Sequence, residues 1–569
     1  MVRQILSRIS APVSGLHQAA YLLAGLTLAS QVLALLRDRM FAHLFGAGEV
    51  LDLYYAAFRI PDLVYALVVS LVSAYVLIPR IAGLLDGPDG DAGEGRARAR
   101  ELISHTASFL FLGAGAIALV AAVLAPQLLA ILFPALTESV HADQFIGLVR
   151  LLLLQPILLG LSSVLSSVTQ LKRRFFLFAL SPVLYNLGII LGTALLYPHY
   201  GLMGIGLGVL IGAIAHVAIH IPVVRNAGLM PRPVLPDFRL LWSVAKDSAP
   251  RSLALTLGSF STLLLVALAS RTGEGGVSVF MLAANLEAVP LSLIGAAYAT
   301  AAFPVLAEQV GGKRLEEFKA TLVTAFRHII FWSSVITVLA IVLRAHIVRV
   351  LYGSGAFDWD DTRLTAAIFA VLVIGLLAQG IVLLASRAFY ASGRSWNPLA
   401  VQFVGLVLSV VSAYAMLSVA YEYPPIRYFF EALLRVPEVQ GAPIVFIAIG
   451  ATLGQLAMAA IALGSLRAVA PGMASSLARP LFEGLGAAIV GGAAAYVALA
   501  FMGALAPLTS LAVVVAEGAV AGIVGLTVSG TILAYLENQE YHGLVASLRR
   551  LTSAEALEPY GSMNDRSNT

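Results

Sequence analysis

The chain of 569 residues is 59% hydrophobic and only 12% charged, and its mean hydropathy is +0.91. Because soluble globular chains carry about 25% charged residues, this composition excludes a soluble domain and indicates an all-α, polytopic membrane protein. The absence of cysteine excludes disulfides and thiolate chemistry, and the small net charge of +4, carried in loops between apolar segments, argues against nucleic acid as a partner.

Apolar segments separated by charged, glycine or proline turns predict fourteen membrane-spanning helices. The first apolar run continues for about 25 residues without a small-residue cleavage site, so we interpret it as a retained span and not as a signal peptide. Several segments exceed the length of a span, which predicts tilts or kinks. The predicted helices are 18–43, 52–84, 101–135, 143–170, 176–197, 201–224, 240–270, 278–308, 316–343, 362–391, 396–420, 442–466, 479–503 and 510–537.

Basic residues concentrate in alternate loops. If the N-terminus is inside, one side collects most of them, with clusters at Arg96–Arg100, Lys172–Arg174 and Arg225–Arg239. The positive-inside rule therefore predicts that both termini lie in the cytoplasm. The longest loop on the opposite side, 422–441, contains the apolar and aromatic run Ile426–Leu434, which predicts a short interfacial helix.

A weak internal repeat is visible in the proline positions. Pro61 and Pro79 bracket one predicted helix, as Pro290 and Pro304 bracket another. Transporters are often built from duplicated bundles. We therefore predict an N-terminal bundle at 1–227, a C-terminal bundle at 228–468, an added helix pair at 469–538 and a cytoplasmic tail at 539–569.

Other prolines lie inside predicted helices. Each one removes a backbone hydrogen bond, so it either bends the helix where the freed carbonyl finds another partner or only shapes the packing. The positions are Pro61, Pro156, Pro182, Pro250 and Pro290.

Charged residues interrupt the first apolar segments. Arg37, Asp38 and Arg39 lie within the first, and Asp52 and Arg59 lie within the second. An ionised group near the bilayer centre costs roughly 2.5 to 3.5 kcal/mol on insertion scales, so such groups usually face a partner or a wet cavity. We predict a polar cavity here. The alternative is that Arg37 to Arg39 lie at a helix end and extend to the headgroups.

The motifs around these charges resemble the opening of a known family. Ser30, the pair Arg37 and Asp38, the turn Gly46–Gly48 and the segment Phe58–Pro61 follow the order found in the MurJ/MviN family of lipid II flippases, within the multidrug/oligosaccharidyl-lipid/polysaccharide exporter superfamily. Three further motifs continue that order: Arg174–Asn186, Ile347–Thr362 and Arg387–Gly393.

The resemblance implies two six-helix bundles with two extra helices that form a lipid-facing groove. It implies a cationic cavity for undecaprenyl-diphosphate-linked peptidoglycan precursor in the bacterial inner membrane, with membrane lipid and proteins of peptidoglycan synthesis as partners. Arginine suits this role because it is permanently charged and donates bidentate bonds to phosphate oxygens. No cofactor is predicted, and the resemblance leaves the oligomeric state open.

The resemblance also assigns substrate-binding residues. Arg37, supported by Arg59, would hold the diphosphate, and Asp38 and Asp52 would orient the arginines or meet the sugar-peptide head. Two residues would line the facing bundle, namely Asn285 and Glu287. Glu287 either pairs with Arg37 or is a helix-end carboxylate in water.

Several of the family's positions differ in this chain. Other cavity arginines are replaced by Gln31, Tyr65 and Asn285, and positions associated with cation binding align with Leu265, Ser409 and Ala413. Three alternatives therefore stay open, namely a flippase for another lipid-linked glycan, a small-molecule antiporter on the same scaffold and a membrane scaffold that does not transport. We find no ATP-binding loop, so active transport would use a gradient, the membrane potential or substrate supply.

Three local patterns have simple interpretations. His216 and His220 share a helix face, but a metal site normally needs three or four ligands, and no third is evident. The glycine-rich segment Gly201–Gly208 begins a membrane helix, which favours close helix packing over dinucleotide binding. The serines within Leu161–Val168 are expected to bond their own helix or a neighbouring one.

Overall fold

The computed structural model describes residues 16–72, 74–85, 92–505 and 510–552. Thirteen helices among these residues are long and apolar enough to cross a membrane. Together with the helix Leu16–Phe45, they correspond one to one with the predicted spans, and no strand occurs in the described ranges. The helices are α1 (Leu16–Phe45), α2 (Glu49–Leu71), α3 (Gly93–Val123), α4 (Ala142–Leu171), α5 (Phe175–Tyr200), α6 (Leu202–Asn226), α7 (Phe238–Ala269), α8 (Gly276–Gly311), α9 (Leu315–Leu351), α10 (Trp359–Ala391), α11 (Trp396–Glu422), α12 (Ile444–Leu466), α13 (Met473–Leu505) and α14 (Leu511–Tyr535).

The chain forms two compact units. Unit 1 contains the described residues of Met1–Val289, together with Val348–Gly375 and Gly393–Ala462. Unit 2 contains Pro290–Ile347, Leu376–Ser392 and the described residues of Leu463–Thr569. The predicted division into bundles, with boundaries at 227 and 468, is not the same division as these two units. It stays a prediction.

In unit 1, one apolar cluster joins the helices that follow α1. Leu77, from the helix Ala74–Leu85, is fully buried, as are Ile103 of α3, Val164 of α4 and Val224 of α6. Lipid tails are as apolar as these side chains, so the cluster stabilises the unit mainly through close packing.

Glycines bring α5 and α6 into backbone contact, also within unit 1. A Cβ atom added to Gly192 would lie 2.3 Å from the Cα of Gly208, and one added to Gly188 would lie 2.4 Å from the Cα of Gly212. No side chain fits at these distances. Close packing was the prediction for the glycine-rich segment at 201–208, and the contact at Gly208 confirms it.

Irregular turns interrupt two helices between the prolines of the predicted repeat. A 3₁₀ turn, Val69–Val72, follows Pro61, and a π-helical turn, Ser292–Ala296, follows Pro290. In α5, Pro182 has no N–H to donate to Phe178, and the hydroxyl of Ser181 donates to that carbonyl instead, at 2.7 Å. The carbonyl of Phe178, which Pro182 leaves without its usual donor, therefore has the new partner that was predicted.

Serine and threonine hydroxyls of α4 bind their own helix and α6. The hydroxyl of Ser162 lies 2.9 Å from the carbonyl of His216 and 2.7 Å from its Nδ1. Thr169 Oγ1 lies 3.1 Å from Nδ1 of His220, and Ser167 donates to the carbonyl of Val164 at 2.6 Å. These contacts confirm the prediction for the serines, and they place both histidines against hydroxyl groups.

In unit 2, an ion pair and a hydrogen bond hold the C-terminal helix Gln539–Thr552 in place. The guanidinium of Arg327 in α9 lies 2.6 Å from Glu540, which is 7% exposed. Asn538 donates to Glu483 of α13 at 2.9 Å. The described part of the predicted tail is thus a helix packed on the unit.

The loop at 422–441, in unit 1, contains the helix Pro424–Leu434. Glu431 pairs with Arg427 at 2.6 Å on its inner side, while Tyr428 and Phe429 are 63% and 61% exposed. The predicted helix is confirmed. Its location at the membrane interface stays a prediction.

Candidate functional site

The guanidinium of Arg37 is directed into the protein. Its Nε and one terminal nitrogen donate to Oδ1 of Asp38 at 3.0 and 2.8 Å, and the other terminal nitrogen donates to the amide oxygen of Asn186 at 3.1 Å. Its side chain is 18% exposed. The arginine also lies over Phe41, with Cζ 6.0 Å from the ring centroid. Arg37 therefore does not extend to the headgroups, and that alternative is wrong.

Asp38 connects α1 to α8. One carboxylate oxygen accepts from Arg37, and the other accepts from the side-chain amide of Asn285 at 2.9 Å. Asp38 is only 1% exposed. A buried carboxylate is stable when it is paired and hydrogen-bonded, and both conditions hold here. Three of the predicted site residues, Arg37, Asp38 and Asn285, are thus in one bonded cluster, which we call the Arg37 cluster.

Asn186 of α5 is a fourth member that was predicted only as part of a motif, without a role. Besides accepting from Arg37, its amide nitrogen donates to the carbonyl of Pro182 at 3.2 Å and to Ser30 at 3.4 Å. The bond to Arg37 fixes which amide atom is the oxygen. The sequence signal was available, since asparagine is rare in an apolar helix, but nothing in the sequence pairs it with Arg37.

Arg39 has a different role from its neighbour. Its guanidinium donates to the carbonyls of Val350 and Leu351, the latter at 3.2 Å, at the end of α9. These are the carbonyls that a helix leaves without intrahelical partners, and a cation there is favoured by the helix dipole. Arg39 is therefore a helix cap.

Asp52 is also used as a cap. Its carboxylate accepts from the backbone N–H groups of Gly275 and Ser278, both at 2.7 Å, and from the hydroxyl of Ser278 at 2.5 Å. It is 1% exposed. The predicted role at the substrate is not what this geometry shows, because the carboxylate is occupied by the start of α8.

Arg59 and Glu287 complete the predicted set. Arg59 donates to the carbonyl of Tyr55 at 3.1 Å and lies 3.3 Å from Asp62, with its side chain 12% exposed. Glu287 lies within α8 and is only 6% exposed, so the interpretation as a helix-end carboxylate in water is wrong. The ion-pair partner of Arg37 is Asp38.

Three loops meet beyond the Arg37 cluster, at the ends of α1, α7 and α9. The N–H of Ala47 donates to Asp361 at 3.0 Å, and the N–H of Ala356 donates to the carbonyl of His43 at 2.9 Å. Gly275 has φ +78°, and a Cβ atom there would lie 2.1 Å from the carbonyl oxygen of Ala47. The contact is thus too close for any side chain at Gly275.

Two of the positions associated with cation binding are occupied by helix packing. Cβ atoms added to Gly454 and Gly450 of α12 would lie 2.4 Å from the Cα of Ser409 and 2.3 Å from the Cα of Ala413. The small residues in α11 therefore allow the two helices to approach each other. Leu265, the third such position, is 9% exposed.

Sequence comparison finds one family over most of the chain. A family model described as lipid II flippase MurJ matches residues 41–423. The lipid II flippase MurJ of Burkholderia cenocepacia is 24% identical over 412 residues, which cover 70% of this chain and 78% of the relative. A probable lipid II flippase MurJ from Bdellovibrio bacteriovorus is 27% identical over 411 residues, covering 69% and 75%.

Solved structures with a similar fold include a lipid II flippase and multidrug transporters. The lipid II flippase MurJ in an inward closed conformation has a TM-score of 0.70 at 18% identity, covering 91% of this chain and 100% of the other. An inward-facing transporter of the multidrug resistance MATE family, in the MOP superfamily, has a TM-score of 0.61 at 15% identity, covering 79% and 95%. At these identities the similarity concerns the fold.

Proposed function

Because the chain belongs to the MurJ family of lipid II flippases, we propose that it is a transporter that moves lipid II, a polyprenyl-diphosphate-linked saccharide, across the bacterial inner membrane. Transport proceeds by alternating access with both termini in the cytoplasm, and no covalent bond of the substrate changes. The match over residues 41–423 supports the family's substrate class. The arrangement around Arg37 supports the chemistry.

The observation that carries the proposal is a permanent cation fixed inside a membrane helix. A guanidinium has five N–H donors, and the three bonds to Asp38 and Asn186 leave two for a ligand. The side chain is 18% exposed, which supports access of a ligand to the guanidinium. Two parallel N–H groups match two oxygens of a phosphate, which a hydrocarbon layer would otherwise exclude.

The other residues of the Arg37 cluster orient that cation. Asp38 holds the guanidinium from one side, and Asn186 and Asn285 fix Arg37 and Asp38 in turn. Arg59 supplies a second positive charge to the diphosphate, and Glu287 faces the sugar-peptide head. Asp52 acts through α8, because it caps the helix on which Asn285 and Glu287 lie.

The three joined loops serve as the gate on the outer side. Alternating access requires that the bonds of Ala47 to Asp361 and of His43 to Ala356 break when the transporter opens outward. Each is a single hydrogen bond with a net contribution of about 1 kcal/mol, so the contacts can close the site without locking it.

Depletion complementation tests this function. Cells whose own lipid II flippase is depleted would express this chain, its Arg37→Ala variant or an Arg467→Ala control. Arg467 is exposed after the end of α12 and is remote in sequence from the Arg37 cluster. We expect growth and outer-leaflet lipid II with the unchanged chain and the control, and loss of both with Arg37→Ala, because the diphosphate loses its fixed cation.

Membrane fractions must contain equal amounts of the three proteins. If the well-expressed unchanged chain does not deliver lipid II, the substrate is another lipid-linked glycan or there is none. If Arg37→Ala rescues as well as the control, a flippase based on Arg37 is ruled out, and an antiporter or a scaffold that does not need this charge is favoured.

A further inference from the structure

A second concentration of positive charge lies in unit 1, at the ends of α3, α4 and α6 that the positive-inside rule assigns to the cytoplasm. These ends enclose a cavity of about 410 Å³. Three of its lining residues are cations from two parts of the chain, namely Arg96 in α3 and the pair Lys172 and Arg174 in the turn after α4. The remaining walls are Leu177, Pro222, Val223, Asn226 and Ala227.

Within the described part of the chain, the three cations have no ionic partner. None forms an ion pair with a residue that the structure describes, and no carboxylate is among the described residues that line the cavity. Two other arginines behave differently. Arg98, two positions after Arg96, pairs with Glu94, and Arg314 lies 2.7 Å from Glu308. Topology alone requires positive residues on this side, but it does not require them to converge on one concave site.

The backbone around the cavity also favours an anion. In the turn after α4, the N–H of Arg174 donates to the carbonyl of Thr169 at 3.0 Å. In the turn after α6, the N–H of Leu229 donates to the carbonyl of Val224 at 3.1 Å. The carbonyls of Thr169 and Val224 are thereby occupied. The helix α5 begins at Phe175 without a side-chain cap, and Leu177 in its first turn lines the cavity. Its free N–H groups add to the positive potential of the cations.

We propose that this cavity is a binding site for a phosphate group, supplied by an anionic phospholipid headgroup or by a free diphosphate. Lysine and arginine together provide the donors that phosphate oxygens need. The volume lies in the range of small-molecule sites, which is about 300 to 1,000 Å³. Leu177, Pro222 and Val223 offer an apolar wall to the start of the acyl chains of a lipid. The site is separate from the Arg37 cluster and does not depend on transport.

The test uses the purified full chain and two probes. In phosphatidylcholine nanodiscs, equilibrium dialysis measures the binding of radiolabelled pyrophosphate. In detergent with equal amounts of phosphatidylcholine and phosphatidylglycerol, the phospholipid that remains after gel filtration is quantified. The site variant is Arg96→Gln/Lys172→Gln/Arg174→Gln. The control variant is Arg232→Gln/Arg239→Gln/Arg394→Gln, which removes the same charge from exposed arginines outside the cavity.

We expect at least one probe to bind the unchanged chain. Its affinity or retention should fall about tenfold or more in the site variant and less than about twofold in the control variant, because each cation near an anionic surface contributes appreciably to binding. Loss of phosphatidylglycerol alone identifies a lipid headgroup, and loss of pyrophosphate alone identifies a soluble phosphate. If neither probe binds, or if both variants lose binding equally, the proposal is wrong. Lys172→Gln alone, with about threefold weaker binding expected, decides the question if the triple variant does not fold.

Discussion

At the scale of single residues, the charged side chains inside the membrane segments have two different roles. Arg37 is held by Asp38 and Asn186 and is the residue that we propose binds the substrate, whereas Arg39 and Asp52 are occupied by helix ends. All three appear in the sequence as ionisable groups among apolar residues. The difference between them is only a difference of partners, and apart from Asp38 these partners lie far away along the chain.

The cap at Asp52 gives a prediction about stability. Asp52→Ala leaves the buried N–H groups of Gly275 and Ser278 without an acceptor, and we expect it to lower the free energy of unfolding by about 3 kcal/mol. The matched control is Asp237→Ala, which removes the exposed cap of α7 and should cost about 1 kcal/mol, because water can replace the carboxylate. The measurement is denaturant unfolding in detergent micelles. Equal losses in the two variants would contradict the burial argument.

At the scale of elements, small residues decide which helices touch. Glycine allows α5 and α6 to meet at Gly192 and Gly208, and it allows α11 and α12 to meet beside Ser409 and Ala413. In a membrane, close approach of this kind supplies the packing energy that the hydrophobic effect provides in water. Ser409 and Ala413, which the resemblance aligns with positions associated with cation binding, therefore lie in a helix contact.

Gly208→Ala tests the contact between α5 and α6. The added Cβ atom would lie 2.6 Å from the Cα of Gly192, so the helices must separate, and we expect a loss of about 1 to 3 kcal/mol in the free energy of unfolding. Gly486→Ala is the control, since nothing lies within 4 Å of its Cβ position in α13. That change should be neutral or stabilising by up to about 1 kcal/mol, because alanine favours the helix. The contact would be irrelevant if thermal unfolding showed the opposite order.

At the scale of the whole molecule, the orientation of the chain can be tested directly because it contains no cysteine. We expect a single cysteine at Tyr428, which is 63% exposed in the helix Pro424–Leu434, to react with a membrane-impermeant maleimide in intact spheroplasts. A single cysteine at the exposed Arg467 should react only after the membrane is permeabilised. The reverse pattern would place the termini outside and would overturn the orientation based on the basic loops.

The amino-acid sequence by itself determined the all-α membrane fold, the positions of the helices and the family, because hydropathy, charge and motif order are properties of neighbouring residues. It also singled out Arg37, since a cation in an apolar segment is visible without a structure. Only the tertiary structure decided what that cation meets: Asn186 is 149 positions from Arg37, and Asn285 is 247 positions from Asp38. Local patterns do not specify contacts over such separations. A buried charge becomes a helix cap or a ligand site according to the helix that lies next to it in the packed structure.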